Sequence, residues 1–400
     1  MRTFPLLPVL YFLIFYLLLL IGATFSLKKI LSTKKLKPLA NFYFIFCLLL
    51  LFTLFYLYIY PNSPRTSHTF RFYLYFNILL FVVITFNLPA SLFAFLSIFL
   101  GKSKKSTPLL IAGVILGTGF SMALVWGSMF GSKQIKIEKR DLTFNNLPPG
   151  FNNFRIVQLS DYHLGGLLKP KNFLSRIHQQ VIDLKPDLLL FTGDFVNNFS
   201  REFEGLEPQL KAISDEAPTF SILGNHDYGD YSNWESPLKK RANFDAIREK
   251  QQALGYNLLC NQNIVINCGE DSIYLAGVEN WGDPPFPQYA DLEKALEGIN
   301  PGEFTILMTH DPAHWQEQVV GQRDIALTFS GHTHGMQWGI KIAGIPFSVA
   351  WLTRKHWGGL YHPENSYLYV NTGIGTVGMP WRLDMPAEIT LITLKRGKID

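Results

Sequence analysis

Apolar residues fill the first third of the chain in four long runs, roughly residues 5–26, 40–60, 73–100 and 108–130. A helix crosses the hydrocarbon core of a bilayer in about 20 mainly apolar residues, so each run predicts a membrane-spanning helix. Asn87 and Pro89 predict a tilt or kink in the third. Past residue 131 the pattern changes to short apolar strands alternating with helical spacing. Strands are expected at 134–144, 154–160, 188–192, 219–223, 256–260, 263–268, 273–277, 304–309, 325–329, 367–370 and 388–394. Helices are expected at 172–183, 237–253, 291–298 and 313–320. This alternation predicts layered α/β structure with a mixed sheet. The chain therefore reads as a four-helix transmembrane region, 1–130, followed by an α/β domain, 131–400.

Charge divides at the same place. Residues 1–130 hold 11 Lys or Arg and no acidic residue, whereas 131–400 hold 25 basic and all 31 acidic residues, a net charge of −6. The basic excess sits between apolar runs, so no nucleic-acid partner is expected. Lys28, Lys29, Lys34, Lys35 and Lys37 follow the first run, and Lys102, Lys104 and Lys105 follow the third; only Arg65 and Arg71 follow the second. Positive loops stay in the cytoplasm, which predicts a multi-pass protein of the inner or cell membrane with an extracytoplasmic domain. Lys133, Lys136, Lys139 and Arg140 oppose that orientation. No charge and no polar pair is expected inside a span. This weighs against the alternative, a membrane sensor or channel-like protein with a regulatory metal-binding domain. Cys47 reads as a packing residue. Cys260 and Cys268 flank a turn and are expected to stay unpaired, although an oxidising compartment would allow a bridge.

Five polar clusters carry the chemistry: Asp161-Tyr162-His163, Gly193-Asp194, Gly224-Asn225-His226-Asp227, His310, and Gly331-His332-Thr333-His334. Each follows the carboxyl end of an expected strand, the edge where layered α/β proteins bind ligands. The donors are oxygen and nitrogen only, a set suited to Mn²⁺, Fe²⁺ or Zn²⁺. Asp194 has two oxygens to share between ions, and Asn225 can ligate through its amide oxygen. His226 can donate a proton to a leaving oxygen or stabilise a transferring phosphoryl group. Two His at spacing two, His332 and His334, project to one side of an extended chain.

The ordered set resembles the calcineurin-like metallophosphoesterase superfamily over residues 152–395, and within it a membrane-associated bacterial branch with N-terminal transmembrane helices. That branch shares the Gly331–Gln337 run and the pattern from Asn371 to Thr390. The resemblance implies a four-layer fold, a β-sandwich flanked by helices. It implies two divalent metal ions: Asp161, His163 and His334 on one, Asn225, His310 and His332 on the other, and Asp194 between them. It further implies His226 as the catalytic imidazole, Asp227 as the residue that orients it, and in-line attack by a metal-bound hydroxide. Two positions depart from the family pattern, Asn197 and Tyr162, and neither removes a ligand. The expected activity is hydrolysis of a phosphomonoester, phosphodiester or pyrophosphate, with a lipid-linked ester suggested by the anchor; the oligomeric state is left open. Arg382 is a candidate donor to a substrate phosphate, with a structural ion pair as the other reading. The segment Ile340–Tyr361 mixes Phe347, Trp351 and Trp357 with Arg354 and Lys355. It reads either as a surface that dips into a membrane or lines an acyl-chain groove, or as a loop packed on the domain's own core.

Overall fold

The computed structural model describes residues 6–32, 36–59, 67–99, 106–232, 234–282, 287–342, 345–363 and 366–397. The chain divides into two compact units, residues 1–129 and 130–400.

In the first unit the apolar runs form α1 (Leu6–Ile30), α2 (Lys37–Ile59), α3 (Ser67–Phe99) and α4 (Ser106–Met129). Each is long and apolar enough to cross a membrane. Pro89 lies within α3. Contrary to expectation, a polar pair does lie among the spans: Tyr43 donates to Asn87 Oδ1 at 2.6 Å. Gly117 brings α4 against the backbone of α3, where a Cβ would collide with the Phe86 carbonyl. Such close approach through small residues is how helices pack where lipid removes the hydrophobic drive between them. Of the loop cations, Lys34, Lys35, Arg65, Lys102, Lys104 and Lys105 lie outside the described residues.

The second unit is built on two six-stranded sheets. One sheet receives β1 (Ile135–Phe144), β2 (Arg155–Leu159), β3 (Leu188–Phe191), β4 (Thr219–Ser221) and β5 (Asn257–Leu258). The other receives β6 (Gln262–Cys268), β7 (Asp271–Gly277), β8 (Thr305–Met308) and β9 (Leu327–Ser330). A separate hairpin, β10 (Gly339–Ile342) with β11 (Ile345–Ser348), interrupts the second sheet, which β12 (Gly359–Tyr361) and β13 (Tyr367–Val370) complete. The last strand, β14 (Ala387–Arg396), returns to the first sheet between β1 and β2. Strands β2 to β5 are parallel, as are β7, β8, β9 and β13. The hairpin, β12 and a helix at Glu207–Ser214 were not expected from the sequence.

Alternation along the strands creates the layers. Ile156, Leu188, Leu190, Ile306 and Phe329 share one core between the sheets. Val157, Leu189 and Phe191 turn outward to the helices α5 (Pro170–Leu184), α6 (Glu207–Ser214) and α7 (Pro237–Ala253). Leu307, Leu368 and Val370 cover the second sheet's outer face with Trp315. The domain is thus a β-sandwich flanked by helices, the four-layer arrangement expected. Burial on both faces explains why Leu188–Phe191 reads as an uninterrupted apolar run. Cys260 and Cys268 are free.

Candidate metal centre

Parallel strands end at the same edge of a sheet, and their following loops meet there. Strands β2, β3 and β4 deliver Asp161 and His163, Asp194, and Asn225 to Asp227. Strands β8 and β9 deliver His310, and then His332 and His334. Backbone bonds tie these loops together. Asp161 N–H donates to the Gly193 carbonyl at 2.9 Å, His163 N–H to Asp194 at 3.1 Å and Gly331 N–H to His310 at 3.0 Å. Gly331 is required by space: a Cβ there would strike Ser160 Oγ and the Asp161 carboxylate. Asp161, His163, Asp194, His332 and His334 all hold positive φ, between 43° and 71°. The left-handed region is strained for L residues and recurs at functional sites.

All seven predicted ligands converge. His334 Nε2 lies 3.2 Å from Asp161 Oδ1 and 3.0 Å from His163 Nε2. His310 Nε2 lies 3.1 Å from Asn225 Oδ1, and His332 Nδ1 2.9 Å from the same oxygen. Asp194 Oδ2 joins the two groups, 3.4 Å from His163 Nε2 and 3.2 Å from His310 Nε2. Ligands about 2.0–2.2 Å from one ion stand roughly 3.0–3.5 Å from each other, so these separations fit shared cations. Asp161, His163 and His334 could hold one ion, and Asp161, Asp194 and His310 also form a potential metal-holding group. Asp161 Oδ1 is buried without a hydrogen-bond partner among the described residues, and a buried acceptor with no donor calls for a cation.

The electrostatics agree. Burial works against the charge of Asp161, but the surrounding imidazoles, His334 foremost, hold its carboxyl well below the usual range. Asp194 is likewise held down by His310 and His226 against the cost of burial. Burial also opposes the His310 imidazolium; the Asp194 carboxylate outweighs it and lifts His310 to about 10. His332 and His334 are lowered by burial, which leaves lone pairs available.

His226 stands beside the candidate ligands and forms a further potential metal-holding group with His163 and Asp194. Its ring packs edge-on to His163, with centroids 4.8 Å apart, and stacks on Tyr231 at 4.4 Å. Its Nδ1–H donates to the Asn197 carbonyl at 2.8 Å. This corrects the role expected of Asp227, whose carboxylate does not reach the imidazole. It accepts instead from the backbone N–H groups of Asp194 (3.0 Å), Val196 (3.3 Å) and Gly224 (2.9 Å). Burial and the Asp194 charge push Asp227 up to about 8. Asp227 thus fastens two loops to one another.

Arg382 is corrected as well. It is fully buried, and its guanidinium donates to the carbonyls of Thr372, Gly373, Gly375, Met385 and Pro386 at 2.6 to 3.3 Å. Burial pulls it down to about 10. It braces the loop behind His334, whose Nδ1 is 3.3 Å away, and does not face a substrate.

Sequence reasoning missed four participants. Glu202 gathers the backbone of Asn197, Asn198 and Phe199. Tyr231 receives the Asn225 amide N–H at 2.8 Å, which turns Oδ1 inward. Asp311 and Arg354 stand 3.4 and 3.3 Å from His332 Nε2. Asp311 had a weak signal, its place after His310, and Arg354 only its place in the aromatic segment Ile340–Tyr361; Glu202 and Tyr231 had none.

Fold and crevice together define the class, a two-sheet α/β domain with metal-ligating side chains gathered at its strand ends. Residues 154–336 match the family model described as calcineurin-like phosphoesterase. A transmembrane protein with metallophosphoesterase domain from Bos taurus is 32% identical over 64% of this chain and 56% of its own length. Its Danio rerio counterpart is 30% identical over 68% of this chain. The chain spans 56% and 60% of the lengths of these two relatives. A protein named UDP-2,3-diacylglucosamine pyrophosphatase LpxG, from Chlamydia muridarum, is 25% identical over 70% of this chain and 93% of its own length. Among solved structures, a dimetal phosphatase from Danio rerio aligns over 56% of this chain and 88% of its own, with 11% identity and a TM-score of 0.32.

Proposed function

We propose that the crevice is the active site of a membrane-anchored, two-metal phosphoesterase, and that its substrate is a lipid-linked phosphate ester or pyrophosphate. In this reading Asp161, His163 and His334 hold one ion and Asn225, His310 and His332 the other. Asp194 is shared, and the observation that carries the reading is the position of its Oδ2 between His163 and His310. The donor set favours Mn²⁺, Fe²⁺ or Zn²⁺. Two such ions would supply positive charge for phosphoryl oxygens and would lower the pKa of water.

The chain's own residues do the rest. Asn197 holds the proton on His226 Nδ1, so Nε2 is the atom that meets the substrate; with a second proton on Nε2, the imidazolium passes that proton to the leaving oxygen and returns to the neutral Nδ1–H form. Tyr231 keeps the imidazole plane fixed and holds Asn225 with its oxygen inward. Asp311 and Arg354 flank His332 Nε2, which leaves Nδ1 on the side of Asn225 for coordination. Four apolar helices support a substrate met at a membrane, as does the relative named for a diacylated pyrophosphate. Loop lysines favour an extracytoplasmic domain.

The test is turnover of bis(p-nitrophenyl) phosphate by the full chain in nanodiscs with Mn²⁺, with metal counted by mass spectrometry. Asp194→Asn should lose both metal and activity. His226→Ala should lose activity by about 100-fold or more and keep the metal. An inactive wild type that holds two ions would refute the hydrolase; a wild type that holds none would refute the centre.

A further inference from the structure

We propose that two neighbouring turns, one carrying Met336 and the other Phe347–Leu352, form a lip that enters the lipid surface and seats the mouth of the crevice on the bilayer. Ten large apolar side chains are exposed among the described residues of the second unit, and four of them, Met336, Phe347, Trp351 and Leu352, fall on these two turns. Trp351 and Leu352 are 62% and 70% exposed. The Phe347 and Trp351 rings are neighbours, with centroids 6.3 Å apart.

The display is built. Ser348 Oγ accepts from Ala350 N–H at 3.1 Å and donates to the Gly335 carbonyl at 2.5 Å, which clamps the Val349–Leu352 turn onto the turn that carries Met336. Ala350 is buried beneath, so the same turn that hides the small residue must present Trp351 and Leu352. The lip is also rooted in the crevice at both ends. It starts two residues past His334. Beyond it, Arg354 reaches Asp311 at 3.4 Å and His332 at 3.3 Å, and Thr333 donates to the Trp357 carbonyl at 2.6 Å.

Lipid is the occupant these observations favour. The unit begins at Phe130, directly after α4, a helix long and apolar enough to span, so the domain is held at a bilayer surface by the chain itself. Its net charge of −6 gives it no general attraction to anionic headgroups, so contact has to come from apolar insertion. Trp beside aliphatic side chains is the composition that partitions into the interface. The inference is independent of the hydrolase reading, because insertion needs no turnover.

The experiment uses the full chain in phosphatidylcholine vesicles, with Cys260→Ser and Cys268→Ser as background and a polarity-sensitive fluorophore on Leu352→Cys. Met336→Cys, on the other turn, is the second reporter should the first variant fail to fold. Leu238→Cys, at a position 81% exposed elsewhere on the domain, is the control. Nitroxide-bearing lipid tails should quench the lip reporters at least about threefold more than the control, with blue-shifted emission, as interfacial insertion requires. Emission and quenching equal to the control would overturn the proposal. So would a blue shift without lipid quenching, which would mean that protein, a partner or a second copy, covers the lip.

Discussion

The Glu202 carboxylate offers a sharp perturbation, because one buried side chain organises the loop that sets His226. Its Oε2 accepts from Gly165 N–H at 2.9 Å, Asn197 N–H at 2.7 Å and Asn197 Nδ2 at 3.1 Å, and its Oε1 from Asn198 and Phe199 N–H, both at 2.9 Å. In Glu202→Gln the shape is kept, but one of the two oxygens becomes a donor. Whichever way the amide turns, at least two buried N–H groups then face an NH₂. Each buried donor left without an acceptor costs about 1–3 kcal/mol, so a rigid loop would lose about 2–6 kcal/mol. For a domain of this size that lowers Tm by roughly 5–15 °C at about 2–3 °C per kcal/mol. The loop can instead shift to solvate those groups. The stability loss then shrinks, but the Asn197 carbonyl moves off His226 Nδ1 and turnover falls. Differential scanning fluorimetry and diester hydrolysis, measured together on the full chain in nanodiscs, should therefore show a loss in at least one. A variant within about 1 °C of wild type and equally active would refute the reasoning, since five hydrogen bonds would then have no measurable consequence.

Three further outcomes follow from the same geometry. Arg382→Lys should lower Tm by several degrees, because an ammonium cannot serve five carbonyls, and should leave KM unchanged; a raised KM with unaltered Tm would restore a substrate-binding role. Gly331→Ala should reduce metal content and activity together, because its Cβ displaces Asp161; full metal loading would contradict this. His314, held neutral by burial, is pulled from 6.5 to about 4. The unfolded chain takes up that proton first, so stability should fall as pH drops from about 6.5 to 4, by about 3 kcal/mol for 2.5 units. In His314→Gln this acid arm should flatten in pH-dependent denaturation.

Strands with both faces covered were legible because their burial leaves an apolar run with few interpretations. The cluster of candidate ligands was legible because each follows such a strand. What the sequence hid was decided by contacts distant along the chain. Asp227 follows His226 directly, which suggested that it orients the imidazole; the turn points its carboxylate at N–H groups 33 and 31 residues away. Asp384 lies near Arg382 in sequence, yet the guanidinium serves carbonyls on the loops that converge behind His334. The β10–β11 hairpin is short and lies outside both sheets, so neither a long apolar run nor a buried alternation announces it.

Backbone strain ties these misses to the centre. Of the twelve described non-glycine residues with positive φ, five are predicted ligands. A left-handed conformation costs an L residue about 1–2 kcal/mol, so the crevice is locally unfavourable to form. Asp and His suffer least there, and both are also metal-binding types, so one choice of residue meets two demands. The remaining cost has to be offset by the surroundings. Asp227 bonds three backbone N–H groups across the loops after β3 and β4, Glu202 five donors across the loops after β2 and β3, and Arg382 five carbonyls of the connection from β13 to β14. None of the three is a ligand in the proposed centre. Two buried carboxylates and a guanidinium act as clamps that hold strained loops around side chains that could bind cations, which is why Asp227 and Arg382, charges that look functional in the sequence, turn out to bond backbone.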